Sequence, residues 1–536
     1  MATGGSIQVI AGMALVLAAW LLPRRIARAP LTPGPQLLLD AALWFVGAGL
    51  VMTATGRPLF TGFLAATLSA GFALADYTMR QTLREPVVFC TASEFPQLFT
   101  HPHLYLPFAG PGLVIGGALA GFALAVALLL LEPPVTRPAP FAAAISTVFL
   151  ALACMLIARE PLLGWTARLF RRLGPSYDPE ADAAALGPFG MLFVHGVIAR
   201  AERAARQQAL AAPRLLCTSK DGPDRPVVIV QCESFFDARR VSPLVPADLL
   251  PAFDACRASS AQFGHLQVPV WGANTMRTEF AVLTGLAESD IGYDRFNPYF
   301  ALARVPLASQ VWRLRRAGYR TICLHPFDRR FFRRDLVMPA LGFETFLGRE
   351  ALGGAKAPPY FSDPDLAQQV LRVLDAEGPR TFIFVITMDN HGPWHDAGPL
   401  DPDMAAVLHP EDLPQREQLL RYLDGVRRSD RMLQILAEAL DERRSDGMLA
   451  FYGDHLPSFP HAFEYFGFDE PHSDYLIWPG SGAPRQIDLP AHRLGQAIVD
   501  MVLGTELERA GAAEAVTGTA RRPIPALARE YGDGSN

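Results

Sequence analysis

Five long apolar runs crowd the first 157 residues, and no other feature limits so sharply what this chain can fold into. They fall at about 7–23, 37–55, 59–77, 107–131 and 140–157. A helix needs roughly 20 apolar residues to cross the hydrocarbon core of a bilayer. Backbone polar groups cannot be left unpaired there, so runs of this length are expected as spanning helices. The first run alone would pass for a secretion signal, but four more behind it make a multi-pass anchor, and residues 1–158 are read as a transmembrane domain. Only 19% of the 536 residues are charged, and the apolar excess that this implies sits in those runs. A net charge of −5 gives no footprint for nucleic acid.

Beyond the last run the pattern changes twice. Residues 159–221 mix apolar, Trp and Arg positions (Trp165, Arg168, Arg171, Arg172) as helices lying in a membrane interface do, and are expected to form a helical linker. From 222 to 512 short β-rich runs at 227–230, 321–324, 381–387, 448–452 and 475–478 alternate with helical patterns at 305–317, 366–377 and 416–439. That alternation predicts an α/β domain with a mostly parallel sheet between helices. The Ala-, Gly- and Arg-rich stretch 513–536 is expected to be a mobile tail.

Ligands bind beyond the carboxyl ends of strands in such sheets. Three pieces of sequence place reactive groups there. Val227-Val228-Ile229-Val230-Gln231-Cys232 leads into Glu233. Phe451-Tyr452-Gly453 leads into Asp454-His455. Gly272-Ala273-Asn274 leads into Thr275, with a second hydroxyl at Thr278. Carboxylates and imidazole suit Mn²⁺, Mg²⁺ or Zn²⁺ and not the soft metals. The six cysteines show no C-x-x-C spacing, so they are read as free thiols and not as a zinc knuckle.

Taken together and in this order, these residues resemble the sulfatase-like branch of the alkaline phosphatase superfamily, and within it the lipoteichoic acid synthase and phosphoglycerol transferase group. The resemblance implies one divalent metal ion, Mn²⁺ first and Mg²⁺ or Zn²⁺ as alternatives, held by Glu233, Thr275, Asp454 and His455. It makes Thr275 the nucleophile, because the family's Thr stands four residues before a Glu-Phe pair, here Glu279-Phe280. It places a phosphate-binding Arg at Arg334, with Arg333 as the neighbouring possibility and Phe332 where the family usually has Trp. Asn390-His391-Gly392-Pro393 matches the family's Asn-His-x-Pro turn, which gives His391 a contact with the donor phosphate or the leaving oxygen. A sulfatase would need C/S-x-P-x-R, which Thr275-Met276-Arg277 does not supply.

The implied activity is transfer of glycerol phosphate from phosphatidylglycerol to a glycan or lipid-linked acceptor. A phosphoethanolamine transferase, or a phosphodiesterase or sulfatase-like hydrolase, is the alternative within the superfamily. A sulfatase-like domain serving only to bind membranes is the alternative outside enzymes. The catalytic domain of such an enzyme is expected on the extracytoplasmic face of the cell membrane. Arginines after the first, third and fifth runs (Arg24, Arg25, Arg28; Arg80, Arg84; Arg159, Arg168, Arg171, Arg172) point the other way by the positive-inside rule.

Overall fold

A computed structural model describes residues 2–211, 222–353, 361–394, 404, 408, 413–442 and 447–504. The expected tail at 513–536, Cys217 and the end of the linker lie outside them. The five apolar runs become helices Ala2–Ile26, Pro35–Thr55, Pro58–Leu83, Pro111–Leu131 and Pro140–Ile157, each long and apolar enough to cross a membrane. The last four open on proline at a first helical position, where a missing N–H costs nothing and a fixed φ helps. Most of their large side chains face outward, as lipid-facing surfaces do. The region between the third and fourth spans is also helical, at Phe95–Thr100 and Pro102–Ala109, where the sequence suggested an earlier start for the fourth span.

Three further helices form the linker: Leu162–Arg171, Pro179–Leu186 and Pro188–Leu210. The first buries Leu163, Thr166, Ala167 and Phe170 and exposes Leu162, Trp165 and Leu169, so its amphipathic pattern is genuine. Its inner face joins Met191, Val194 and Ile198 of the long helix in a cluster that takes in Tyr293 and Phe296 of the following domain. Asp40 of the second span, buried against Arg24 at 2.7 Å, accepts the Gly190 amide at 2.9 Å. The linker is thereby fastened to the second span and to the following domain.

The following domain is built on strands β1 (Val227–Cys232), β2 (Gln262–Gln267), β3 (Arg320–Leu324), β4 (Thr345–Leu347), β5 (Thr381–Ile386), β6 (Met448–Gly453), β7 (His472–Trp478), β8 (Arg485–Gln486) and β9 (Leu489–Pro490). They form one sheet in the order β4-β3-β5-β1-β6-β7-β2-β8, with β9 also paired to β2. Every pairing is parallel except those of β7, which runs against β6 and β2. Alternate residues of β1 feed two apolar cores: Val228 and Val230 face one, Val227 and Ile229 the other. Burial on both faces is why β1, β5 and β6 read as continuous apolar runs.

Candidate active site

The register β1–β6 pairs Gln231 with Tyr452 and Cys232 with Gly453, so Glu233 and Asp454 leave the sheet side by side. Gly453 has to be glycine: a Cβ there would stand 1.7 Å from the Phe235 carbonyl oxygen. Ser234, at φ 55°, turns the chain sharply after Glu233, and its amide donates to Asp454 Oδ1 at 2.8 Å. Ligand atoms of Glu233, Asp454 and His455 all lie within 4.8 Å of one another, and all three residues are buried. His455 Nε2 stands 3.4 Å from both Glu233 Oε1 and Asp454 Oδ2.

The hydrogen bonds show what the cluster lacks. His455 Nδ1 lies 2.9 Å from the Leu456 carbonyl, which can only accept, so the proton is on Nδ1 and the Nε2 lone pair points into the cluster. Nε2 and Asp454 Oδ2 are buried without a hydrogen-bond partner. Burial pushes the Asp454 carboxyl up to about 7, with the neighbouring Glu233 adding to it against the pull of His455, Ser234 and Thr275. Burial draws His455 down, but Asp454 and Glu233 outweigh it and leave its pKa above the usual value. Two carboxylates and an imidazole lone pair, short of positive charge and with two orphaned acceptors, fit a divalent cation of the hard or borderline kind.

Thr275 is the first residue of helix Thr275–Thr284, entered through Asn274 in the left-handed region (φ 62°). Its hydroxyl favours the charged form of Asp454, which places it beside the cluster. Thr278, one turn on, is spent otherwise: its Oγ1 donates to the Asp454 carbonyl at 2.6 Å. The loop before Thr275 rests on the third span, where a Cβ on Gly272 would fall 1.9 Å from the Thr82 carbonyl oxygen. Arg277 reaches Glu85 just beyond that span at 2.9 Å. The Thr275 segment is therefore seated directly on the membrane domain.

Arg334 is buried, and its Nε and Nη2 form a fork on Glu279 at 3.1 and 2.9 Å. Glu279 also accepts from Tyr299 at 2.5 Å and Gln231 at 3.2 Å, and Tyr452 donates to Gln231 at 2.5 Å. The third arm of Arg334 meets His325 Nε2 at 3.1 Å. Burial, then Arg334, hold His325 well below the ordinary histidine value, so it is neutral and accepts. His391 lies within electrostatic reach of His325 and of His103, the latter on the helix before the fourth span. Arg333 lies outside this network, with its guanidinium over the Phe300 ring.

Sequence reasoning did not find the Glu279–Arg334 pair or His325. His325 directly follows β3 at the same sheet edge as Glu233, so the strand-end rule applied to β3 would have found it. Helix Pro102–Ala109 carried no comparable signal.

The sequence model of the Sulfatase family matches residues 225–498, a little over half the chain. The chain belongs to that family. Its fold is also similar, over 93% of this chain and 94% of the other, to the integral membrane lipooligosaccharide phosphoethanolamine transferase A of Neisseria meningitidis, with a TM-score of 0.53 at 12% identity. Similarity to the Streptococcus pyogenes phosphoglycerol transferase GacH covers 57% of this chain and 80% of the other, with a TM-score of 0.43 at 24% identity. In sequence it is 34% identical to the capsular polysaccharide biosynthesis protein RkpI of Rhizobium meliloti over 59% of this chain and 57% of that one. The chain thus spans a little over half the length of that relative. The family expected from Glu233, Thr275 and Asp454-His455 is borne out, as are the membrane-anchored architecture and the sulfatase-type α/β domain.

Proposed function

We propose that this protein is a membrane-anchored, metal-dependent phosphotransferase that moves glycerol phosphate from phosphatidylglycerol to a glycan or glycolipid acceptor through a covalent Thr275 intermediate. The observation that carries it is the buried Glu233–Asp454–His455 cluster, with two unpartnered acceptor atoms beside a hydroxyl at a helix start. A divalent cation held there, Mn²⁺ in this reading, would lower the pKa of the Thr275 hydroxyl and offset charge on the phosphate. Thr275 Oγ1 forms a bond to the headgroup phosphorus as the bond to the diacylglycerol oxygen breaks. His391 protonates that oxygen, while Thr275 loses its proton to water. In the second displacement an acceptor hydroxyl attacks the phosphothreonine diester, giving its proton to His391, and Thr275 regains one from water. Arg334, held by Glu279, offsets charge on the transferring group.

An ethanolamine headgroup would call for a carboxylate to receive its ammonium. Around His391 and His325 the described residues offer histidines and aromatic rings (His101, His103, Phe327, Phe331), and the nearby Asp328 and Asp389 are paired to Arg330 and Arg428. That environment favours the uncharged glycerol headgroup. A glycan acceptor is supported by the likeness to a capsular polysaccharide biosynthesis protein.

Orientation follows from the same reading: N-terminus in the cytoplasm, catalytic domain outside, on the cell membrane. The contrary arginine distribution loses force because arginines after the fifth span lie on the amphipathic helix Leu162–Arg171, which can rest on an anionic membrane surface. Product analysis on vesicles of defined lipid with Mn²⁺ tests the proposal. Diacylglycerol should come from phosphatidylglycerol and not from phosphatidylethanolamine; the reverse preference, or no diacylglycerol at all, overturns it.

A further inference from the structure

A cavity of about 230 Å³ opens between the membrane domain and the catalytic domain. One wall is the end of the third span, with Tyr77 and Gln81; the other carries Trp394, Gln418, Ser458 and His461. Its position is set by the catalytic segments. Trp394 stands three residues after His391, and Ser458 three residues after His455. Ser458 bonds to the Gln81 carbonyl at 3.3 Å, and its Cβ lies 3.2 Å from where a Cβ on Gly272, in the nucleophile loop, would stand. Trp394 is fixed by its indole N–H to Asn390 at 3.1 Å and by packing on Phe459, with ring centroids 4.7 Å apart.

Among the described residues the lining contains no Asp, Glu, Lys or Arg. A phosphate would be expected to meet cations there, and an acyl chain would strip water from amides and hydroxyls without replacing their hydrogen bonds. Side-chain amides carry two donors and an acceptor that match neighbouring hydroxyls, and aromatic rings cover the C–H faces of a sugar. The volume falls below the roughly 300–1,000 Å³ of pockets that enclose a whole drug-sized ligand, which suits one unit of a longer molecule. We propose that this cleft binds a neutral, polyhydroxylated sugar unit of the acceptor and presents its hydroxyl to the Thr275 centre. The proposal rests on the phosphotransferase reading above and adds to it the place and the chemistry of the second substrate.

The full-length protein in Mn²⁺-containing vesicles of headgroup-labelled phosphatidylglycerol, with a neutral β-glucan oligosaccharide as probe, gives two products to follow: label released to water and label joined to glucan. Tyr77→Leu on the membrane side and His461→Ala on the catalytic side should each raise the KM for glucan about tenfold, the size of one lost neutral contact. Release to water and the KM for phosphatidylglycerol should stay within about twofold, which also reports that the variants are folded. A parallel rise in the KM for phosphatidylglycerol would assign the cleft to the donor's own glycerol and overturn the inference. So would an unchanged KM for glucan in both variants, loss of release to water in both, or release by the wild type without transfer to the neutral glucan. If the wild type neither releases nor transfers label, the phosphotransferase reading itself fails.

Discussion

Helix Thr275–Thr284 touches two buried clusters of charge that differ in one respect. Around Glu279, every carboxylate oxygen is engaged: Arg334 forks onto it, and Tyr299 and Gln231 complete the set. Around Glu233, Asp454 and His455, two acceptor atoms have nothing to accept from, and two carboxylates share one imidazole. Burying charge is expensive unless it is paired and hydrogen-bonded. The first cluster meets that condition within the protein and holds the fold together. The second leaves it unmet, and the missing partner is what its chemistry would use.

If this contrast is sound, the largest effect comes from Thr275, which borders the open cluster without completing the closed one. Thr275→Ala should lower turnover on the order of 10³-fold or more, as for other covalent nucleophiles, while metal content measured by elemental analysis stays that of the wild type. Next come the ligands themselves. Asp454→Ala and His455→Ala should each abolish bound metal and activity together. In metal-free protein Asp454→Asn, which keeps an oxygen for the Ser234 and His455 amides, should cost little stability, since it relieves the repulsion with Glu233. The closed cluster should behave in the opposite way. Glu279→Gln or Arg334→Ala strands a buried charge and should cost about 3–5 kcal/mol in chemical unfolding, with or without metal. A variant of Arg334 that keeps full stability and only raises the KM for phosphatidylglycerol would make it a headgroup ligand alone and break the contrast. The smallest effect belongs to Thr278→Ala. Losing its bond to the Asp454 carbonyl should cost about 1 kcal/mol and less than tenfold in turnover.

The open cluster was legible in the sequence and the closed one was not, for a physical reason. Glu233 and Asp454-His455 end long apolar strands, and their place at the sheet edge follows from strand direction alone. Glu279 and Arg334 lie on two helices 55 residues apart, and in sequence a buried Arg-Glu pair looks like two surface charges. The strands divide similarly. β1, β3, β5 and β6 are buried on both faces and stand out as apolar runs. β2 alternates, with Gln262, Gly264 and Leu266 buried and its intervening residues partly exposed, and it carries Gly264 and His265, so it has no such run. β8 and β9, two residues each, are too short to show a period. The five spans were legible because their length is fixed by the bilayer and not by partners in the fold. The seating of the loop before Thr275 on the third span depends on contacts between segments nearly 200 residues apart, which no local pattern records.

The most direct test is where the transferred group rests between the two displacements. The wild-type protein, incubated in vesicles of phosphatidylglycerol with Mn²⁺ and no acceptor, then digested and mapped by mass spectrometry, should carry a glycerophosphoryl adduct on Thr275, with fragment ions that place it there and exclude Thr278. An adduct on Thr278 or Ser234, or diacylglycerol released with no adduct and full turnover in Thr275→Ala, would contradict it.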